Sequence, residues 1–167
     1  KESLWGIVKS IRQLKRVFGK VHVNFGRPLE LAVFLESHRP GWAREVSDAS
    51  SDWTREATHS AATELAERLN AAAVINPVNL IALTLLSTPR HTADEQVLHR
   101  LLEHCQALVA DAPYAPETIP CPLDSLQIVA YVERLGIAER IPHPLGDLIR
   151  IPEGEAPLLA YFRNNVL

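Results

Sequence analysis

Residues 20–28 read Lys20-Val21-His22-Val23-Asn24-Phe25-Gly26-Arg27-Pro28. Val21, Val23 and Phe25 alternate with Lys20, His22 and Asn24, the period-two pattern of a half-buried β-strand. Gly26-Arg27-Pro28 supplies its stop. A single strand is not stable by itself and needs a sheet to join. Nothing nearby in the sequence offers a partner strand. The chain is therefore expected to be α/β and mostly helical, with this strand belonging to a sheet whose other strands lie elsewhere.

On the N-terminal side, Leu4, Ile7, Val8, Ile11, Leu14 and Phe18 recur at three- and four-residue steps, predicting an amphipathic helix over 3–18. Residues 1–20 carry six basic side chains against one acid, Glu2, whereas the rest holds 11 basic and 19 acidic residues. A basic amphipathic helix is suited to an anionic lipid surface or an anionic substrate. Lys9, Arg12, Lys15 and Arg16 are the candidate contacts on it. Arg27, placed just after a strand end, is a fifth candidate, because a guanidinium there is able to grip a phosphate or carboxylate bidentately. His22 and Asn24 lie near the same edge.

On the C-terminal side, 29–37 reads as a short helix and 38–53 as a loop, with Pro40-Gly41 and a Ser/Asp-rich run. The main internal boundary is placed there, dividing the chain into 1–53, the end of an α/β domain, and 54–167, a helical region. Helices are expected over 54–73, 77–87, 92–110 and 123–141, the last broken near Gly136. Thr92 and Glu95 would form the capping box of the third. The stretch 77–87 is apolar almost all round and should be the buried helix. Four prolines (113, 116, 120 and 122) make a rigid connector. Asp147–Ile151 fits a strand and Ala156–Leu167 a last helix.

The net charge of −3 and the scattered aromatics argue against nucleic-acid binding. Cys105 and Cys121 are too few for a disulfide framework and suit a reducing compartment. The longest apolar stretch, 71–86, is interrupted by Asn76, Pro77 and Asn79 and falls short of a membrane span. His99, His104 and Cys105 have the wrong helical spacing for a shared metal, so no metal site is expected. The absence of an initiating methionine reads as an excised internal segment.

Several strings, taken in order, resemble the bacterial membrane-associated glycerol-3-phosphate acyltransferase family, in the portion that follows its catalytic motifs. They are Lys-Glu-Ser-Leu-Trp-Gly at 1–6, the strand and turn at 21–28, Ile75-Asn76 with the apolar run 79–86, and Gly146-Asp147-Leu148-Ile149-Arg150-Ile151-Pro152 followed by Tyr161-Phe162-Arg163-Asn164-Asn165. Arg27 departs from the resemblance, since an acidic residue is usual there. The resemblance implies transfer of a fatty acyl group from acyl-CoA or acyl-carrier protein to the 1-hydroxyl of glycerol 3-phosphate in phospholipid synthesis, with no cofactor beyond that co-substrate. It also implies an upstream acyltransferase core as intramolecular partner, and a peripheral position on the cytoplasmic face of the bacterial inner membrane. Strand 20–25 would be a late strand of the acyltransferase sheet. The family's His-x4-Asp motif is absent. The residues five positions after His22, His38, His59, His91, His99, His104 and His143 are Arg27, Ala43, Glu64, Gln96, His104, Val109 and Leu148. No catalytic residue is therefore assigned, and the chain is expected to be the structural tail of an enzyme. The alternative is a non-catalytic helical scaffold or membrane-surface interaction module.

Overall fold

The computed structural model describes residues 19–44 and 52–165. The helix expected over 3–18, with Lys9, Arg12, Lys15 and Arg16, lies outside the described residues. The chain forms two compact units.

The first unit contains residues 19–22, 75–111 and 120–165. Its centre is helix α3 (Pro77–Leu86). The all-round apolar sequence of α3 is explained by its surroundings: Leu80, Ile81, Ala82 and Leu85 are all buried. Helices α4 (Glu95–Asp111), α5 (Ser125–Leu135) and α6 (Ala156–Asn164) pack around it. Each contributes an apolar face: Leu98 and Leu102 from α4, Ile128, Val129 and Val132 from α5, Leu159 from α6. Burying one such side chain contributes about 1.5–3 kcal/mol. A small sheet closes the unit. Strands β1 (Thr92–Asp94), β2 (Glu139–Ile141) and β3 (Leu148–Arg150) are antiparallel in the order β1-β3-β2. Ile149 pairs with Ala93 on one side and Arg140 on the other, with its side chain fully buried.

The helix ends are set by local chemistry. The asparagines that interrupt the apolar stretch are the α3 cap. Asn76 Oδ1 accepts from Val78 N (2.9 Å) and Asn79 N (3.1 Å), while Asn79 Oδ1 accepts from Asn76 N (3.0 Å). Pro77, with no N–H, sits in the first turn without loss. Asp124 and Gln127 form the same reciprocal box on α5. Gly136 ends α5 in the left-handed conformation (φ 72°). The expected helix over 123–141 thus stops at Leu135, and 139–141 becomes β2. The helix expected from residue 92 starts at Glu95, because Thr92–Asp94 pairs with β3. Its cap is Asp94, whose Oδ1 accepts from Gln96 N (2.9 Å) and Val97 N (3.2 Å), in place of Thr92.

The second unit contains residues 23–74 and 112–119. It has helix α1 (Leu31–His38), a 3-10 turn at Trp42–Arg44, and the long helix α2 (Asp52–Ala71). Helix α2, beyond residue 53, thus belongs to the same compact unit as residues 23–44. Residues 112–119 join through a parallel bridge between Val74 and Ile119, with Ile119 N donating to Ala73 O (3.0 Å). The unit's buried apolar residues among those described are Phe34, Ala57 and Ala72. Residues 20–25, expected to form a strand, are in no regular element. The fold is mostly helical α/β, and its one sheet among the described residues is β1-β3-β2.

Candidate functional site

The segment around Arg27 that sequence reading singles out is held by close approach. Segment 24–28 lies along the last turns of α2. Asn24 Nδ2 donates to Ala72 O (3.0 Å) and Glu117 O (3.4 Å). Arg68 donates from Nη1 to the carbonyls of Pro28 and Arg27, and pairs with Glu64 one turn earlier. A Cβ on Gly26 would stand 2.8 Å from Arg68 O and 3.2 Å from the Ala72 Cβ, so only glycine fits at this depth. Arg27 projects outward with its side chain 73% exposed, and its Nη2 lies 3.7 Å from Glu117 Oε1. Its positive charge is thus partly offset by a neighbouring carboxylate. Asn24 is consumed by structural bonds, and His22 is exposed.

The densest polar cluster among the described residues was not singled out from sequence. It surrounds Arg140 on β2. The guanidinium donates from Nε to Glu133 Oε1 (2.9 Å), from Nη2 to Glu95 Oε1 (2.8 Å) and from Nη1 to Asp147 Oδ2 (3.1 Å). Nη1 also lies 2.7 Å from Glu95 Oε2. One cation thereby ties the start of α4, the end of α5, β2 and the approach to β3. Glu95 N donates to Asp147 O (2.9 Å), adding a backbone tie at the same point. The hydrogen bond from Arg140 holds the Glu95 carboxyl below its usual pKa, against the opposing effect of burial. Arg140 is shifted up, first by its bond to Glu95 and then by Glu133. His99 Nε2 is 3.7 Å from Glu95 Oε1, beyond hydrogen-bond distance. With three acids around one arginine, the cluster is fitted to hold these elements together.

His104 Nδ1 lies 2.6 Å from Arg100 O in its own helix. Burial raises the pKa of both the Cys105 and Cys121 thiols, which disfavours the reactive thiolate. Among the described residues no group of three or more His, Cys, Asp or Glu is placed to hold a metal ion, and no helix is long and apolar enough to cross a membrane.

A family model described as the glycerol-3-phosphate acyltransferase C-terminal region matches residues 1–167. The chain belongs to this family. A glycerol-3-phosphate acyltransferase of Xanthomonas campestris pv. campestris is 41% identical over 170 residues, a match covering 100% of this chain and 19% of the relative. A glycerol-3-phosphate acyltransferase of Pseudomonas fluorescens is 40% identical over 169 residues, covering 100% of this chain and 20% of the relative. The chain therefore spans about a fifth of the length of the acyltransferases it matches. No solved structure matches it.

Proposed function

We propose that the protein carrying this region is a glycerol-3-phosphate 1-O-acyltransferase, and that residues 1–167 are its non-catalytic structural tail. The observation that carries this is the family match over the whole chain, together with the absence of any His-x4-Asp pair within it. A histidine base needs an orienting carboxylate, so the reacting groups are assigned to the upstream core. Acyl-CoA or acyl-carrier protein is the donor, glycerol 3-phosphate the acceptor, and phospholipid synthesis the setting. The test is acylation of glycerol 3-phosphate by the full-length protein with each donor in turn. Activity in the full-length protein, and none in residues 1–167 alone, supports the reading. No acylation by the full-length protein with either donor overturns it.

The same reading places the protein against the cytoplasmic face of the inner membrane, with Lys9, Arg12, Lys15, Arg16 and Arg27 toward anionic lipid or phosphate. The charge clustering of residues 1–20 supports it, each such residue contributing about 1 kcal/mol near an anionic surface. Charge reversal at Lys9, Arg12, Lys15 and Arg16 together is expected to release the protein from anionic vesicles. Unchanged vesicle binding and activity would refute the assignment.

A further inference from the structure

Within the second unit, α1, the 3-10 turn and the start of α2 enclose a cavity of about 640 Å³. Small-molecule sites span roughly 300–1,000 Å³. Among the described residues, Phe34, Leu35, Trp42, Trp53, Ala57 and Ala61 stand in its wall. Phe34 and Leu35 come from α1 and Trp42 from the turn. Trp53, Ala57 and Ala61 recur at four-residue steps, on one face of α2. Phe34 and Ala57 are buried, whereas both tryptophans are half-buried. Indoles wet on one side and apolar on the other are suited to the boundary between water and hydrocarbon.

The wall decides the class of ligand. Among the described residues no charged side chain lines it. Its polar side-chain groups are two indole N–H groups and the hydroxyls of Thr54 and Thr58, and Thr58 Oγ1 donates to Thr54 O within the helix (2.7 Å). A sugar, a nucleotide or a peptide backbone would give up its bonds to water here and regain few. An alkyl chain has none to give up and gains by leaving water. The rim differs from the wall. Arg39 lies over the Trp53 ring, its Cζ 5.2 Å from the centroid, and Arg44, next to the wall residue Ala43, is exposed. Among the described residues, the acids before and after this turn are engaged: Glu36 Oε1 accepts from Gly41 N (2.9 Å), and Asp52 pairs with Arg55 (2.7 Å). An apolar cavity with arginines at its rim is complementary to an apolar chain with an anionic head.

We infer that this cavity binds one alkyl chain of an anionic amphiphile, with the head group at Arg39 and Arg44. The alkyl chain lies against Phe34, Trp42 and Trp53, over the space that Ala57 and Ala61 leave open. Binding of this kind needs no catalytic group. A diffusible fatty acid and an anionic phospholipid of a bilayer share this chemistry, and the probe distinguishes them.

The experiment uses the full-length protein in phosphatidylcholine nanodiscs and two photo-activated probes. One is palmitate with a diazirine in its chain, added from solution. The other is phosphatidylglycerol with the same chain, built into the nanodisc. Adducts are mapped by mass spectrometry and are expected in the peptides holding residues 31–44 and 52–61. Ala61→Trp fills the cavity and is expected to lower their yield at least about tenfold. Arg44→Glu changes an exposed side chain and leaves the wall intact, so it keeps the test independent of folding; it is expected to lower the yield about fivefold. Labelling by palmitate alone assigns the site to a diffusible amphiphile, and labelling by phosphatidylglycerol assigns it to a bilayer lipid; either upholds the cavity as a chain site. Labelling of these peptides by neither probe, or a yield unchanged in Ala61→Trp, overturns it. A yield unchanged in Arg44→Glu overturns the placement of the head group.

Discussion

Replacing Arg140 by leucine tests whether the polar hub holds the first unit together. The substitution removes every cationic contact of Glu95, Glu133 and Asp147 in the cluster and leaves three carboxylates facing one another. An exposed pair contributes about 0.2–1 kcal/mol, and removing one partner of a fully buried pair costs about 3–5 kcal/mol. Arg140 is 31% exposed and its partners 25–36%, so the cost falls between those limits, at about 2–3 kcal/mol. For a chain of this size that corresponds to a fall in Tm of about 5–10 °C. The sign of the pH dependence follows from Glu95. Its folded pKa lies below the ordinary 4.5, so its pairing contributes fully above that value and is lost as pH falls through the folded pKa. Arg140 stays charged throughout, and the variant's repulsion is relieved as the acids protonate. The difference between Arg140 and Arg140→Leu should therefore be large at pH 7 and shrink toward pH 3.5. Urea titrations followed by circular dichroism measure it, urea being preferred because guanidinium salt screens charge. A difference under about 0.5 kcal/mol at pH 7, or one that is the same at both pH values, would refute the assignment of the hub as a stabilising tie.

Two glycine substitutions separate space from conformation. Gly26→Ala places a methyl 2.8 Å from a backbone carbonyl, and a cost of about 1–3 kcal/mol is expected from the forced shift. Gly136→Ala meets no atom within 4 Å but keeps φ at 72°, so about 1 kcal/mol is expected from backbone strain alone; both are read from urea midpoints. Asn79→Leu keeps the branched four-atom side-chain skeleton but strips Asn76 N of its acceptor and Phe162 O of one of its two donors, at 2.7 Å. One unpaired N–H and one weakened carbonyl beside the core should cost about 1–3 kcal/mol, seen as a lower urea midpoint with an unchanged slope.

What could be read from sequence follows the range over which each signal acts. Residues 77–87 announce a buried helix, because apolar side chains on every face have no other use, and the structure places Leu80, Ile81 and Leu85 at the centre. The β3 strand was legible within 147–151, and α1 within about two residues. The asparagines at 76 and 79 were read as interruptions, although Asn-Pro-x-Asn ahead of an apolar run carries the spacing of a reciprocal cap. The start of α4 was misplaced because Thr92 is as good a cap as Asp94 by local rules, and the pairing of β1 with β3, 56 residues on, decides between them. The hub was invisible for the same reason. Residues 95, 133, 140 and 147 share no sequence period, and they meet only once the sheet and two helix ends are in place.

Arg27 shows how a local reading passes over the roles of its neighbours, since the expected strand is in no regular element. Sequence placed a strand end and a turn at 26–28, and attention went to the charged side chain. In the structure the positional demand falls on the residues beside it: Gly26 by its missing Cβ, and Asn24 by two hydrogen bonds. The apolar side chains that gave the strand pattern, Val23 and Phe25, are those left bare. Burial of apolar surface is the main favourable term in folding, so a segment that anchors its polar face and exposes its apolar one is incomplete in free-energy terms. The first unit does not share this property, since its helices bury their apolar faces against α3 and the β1-β3-β2 sheet.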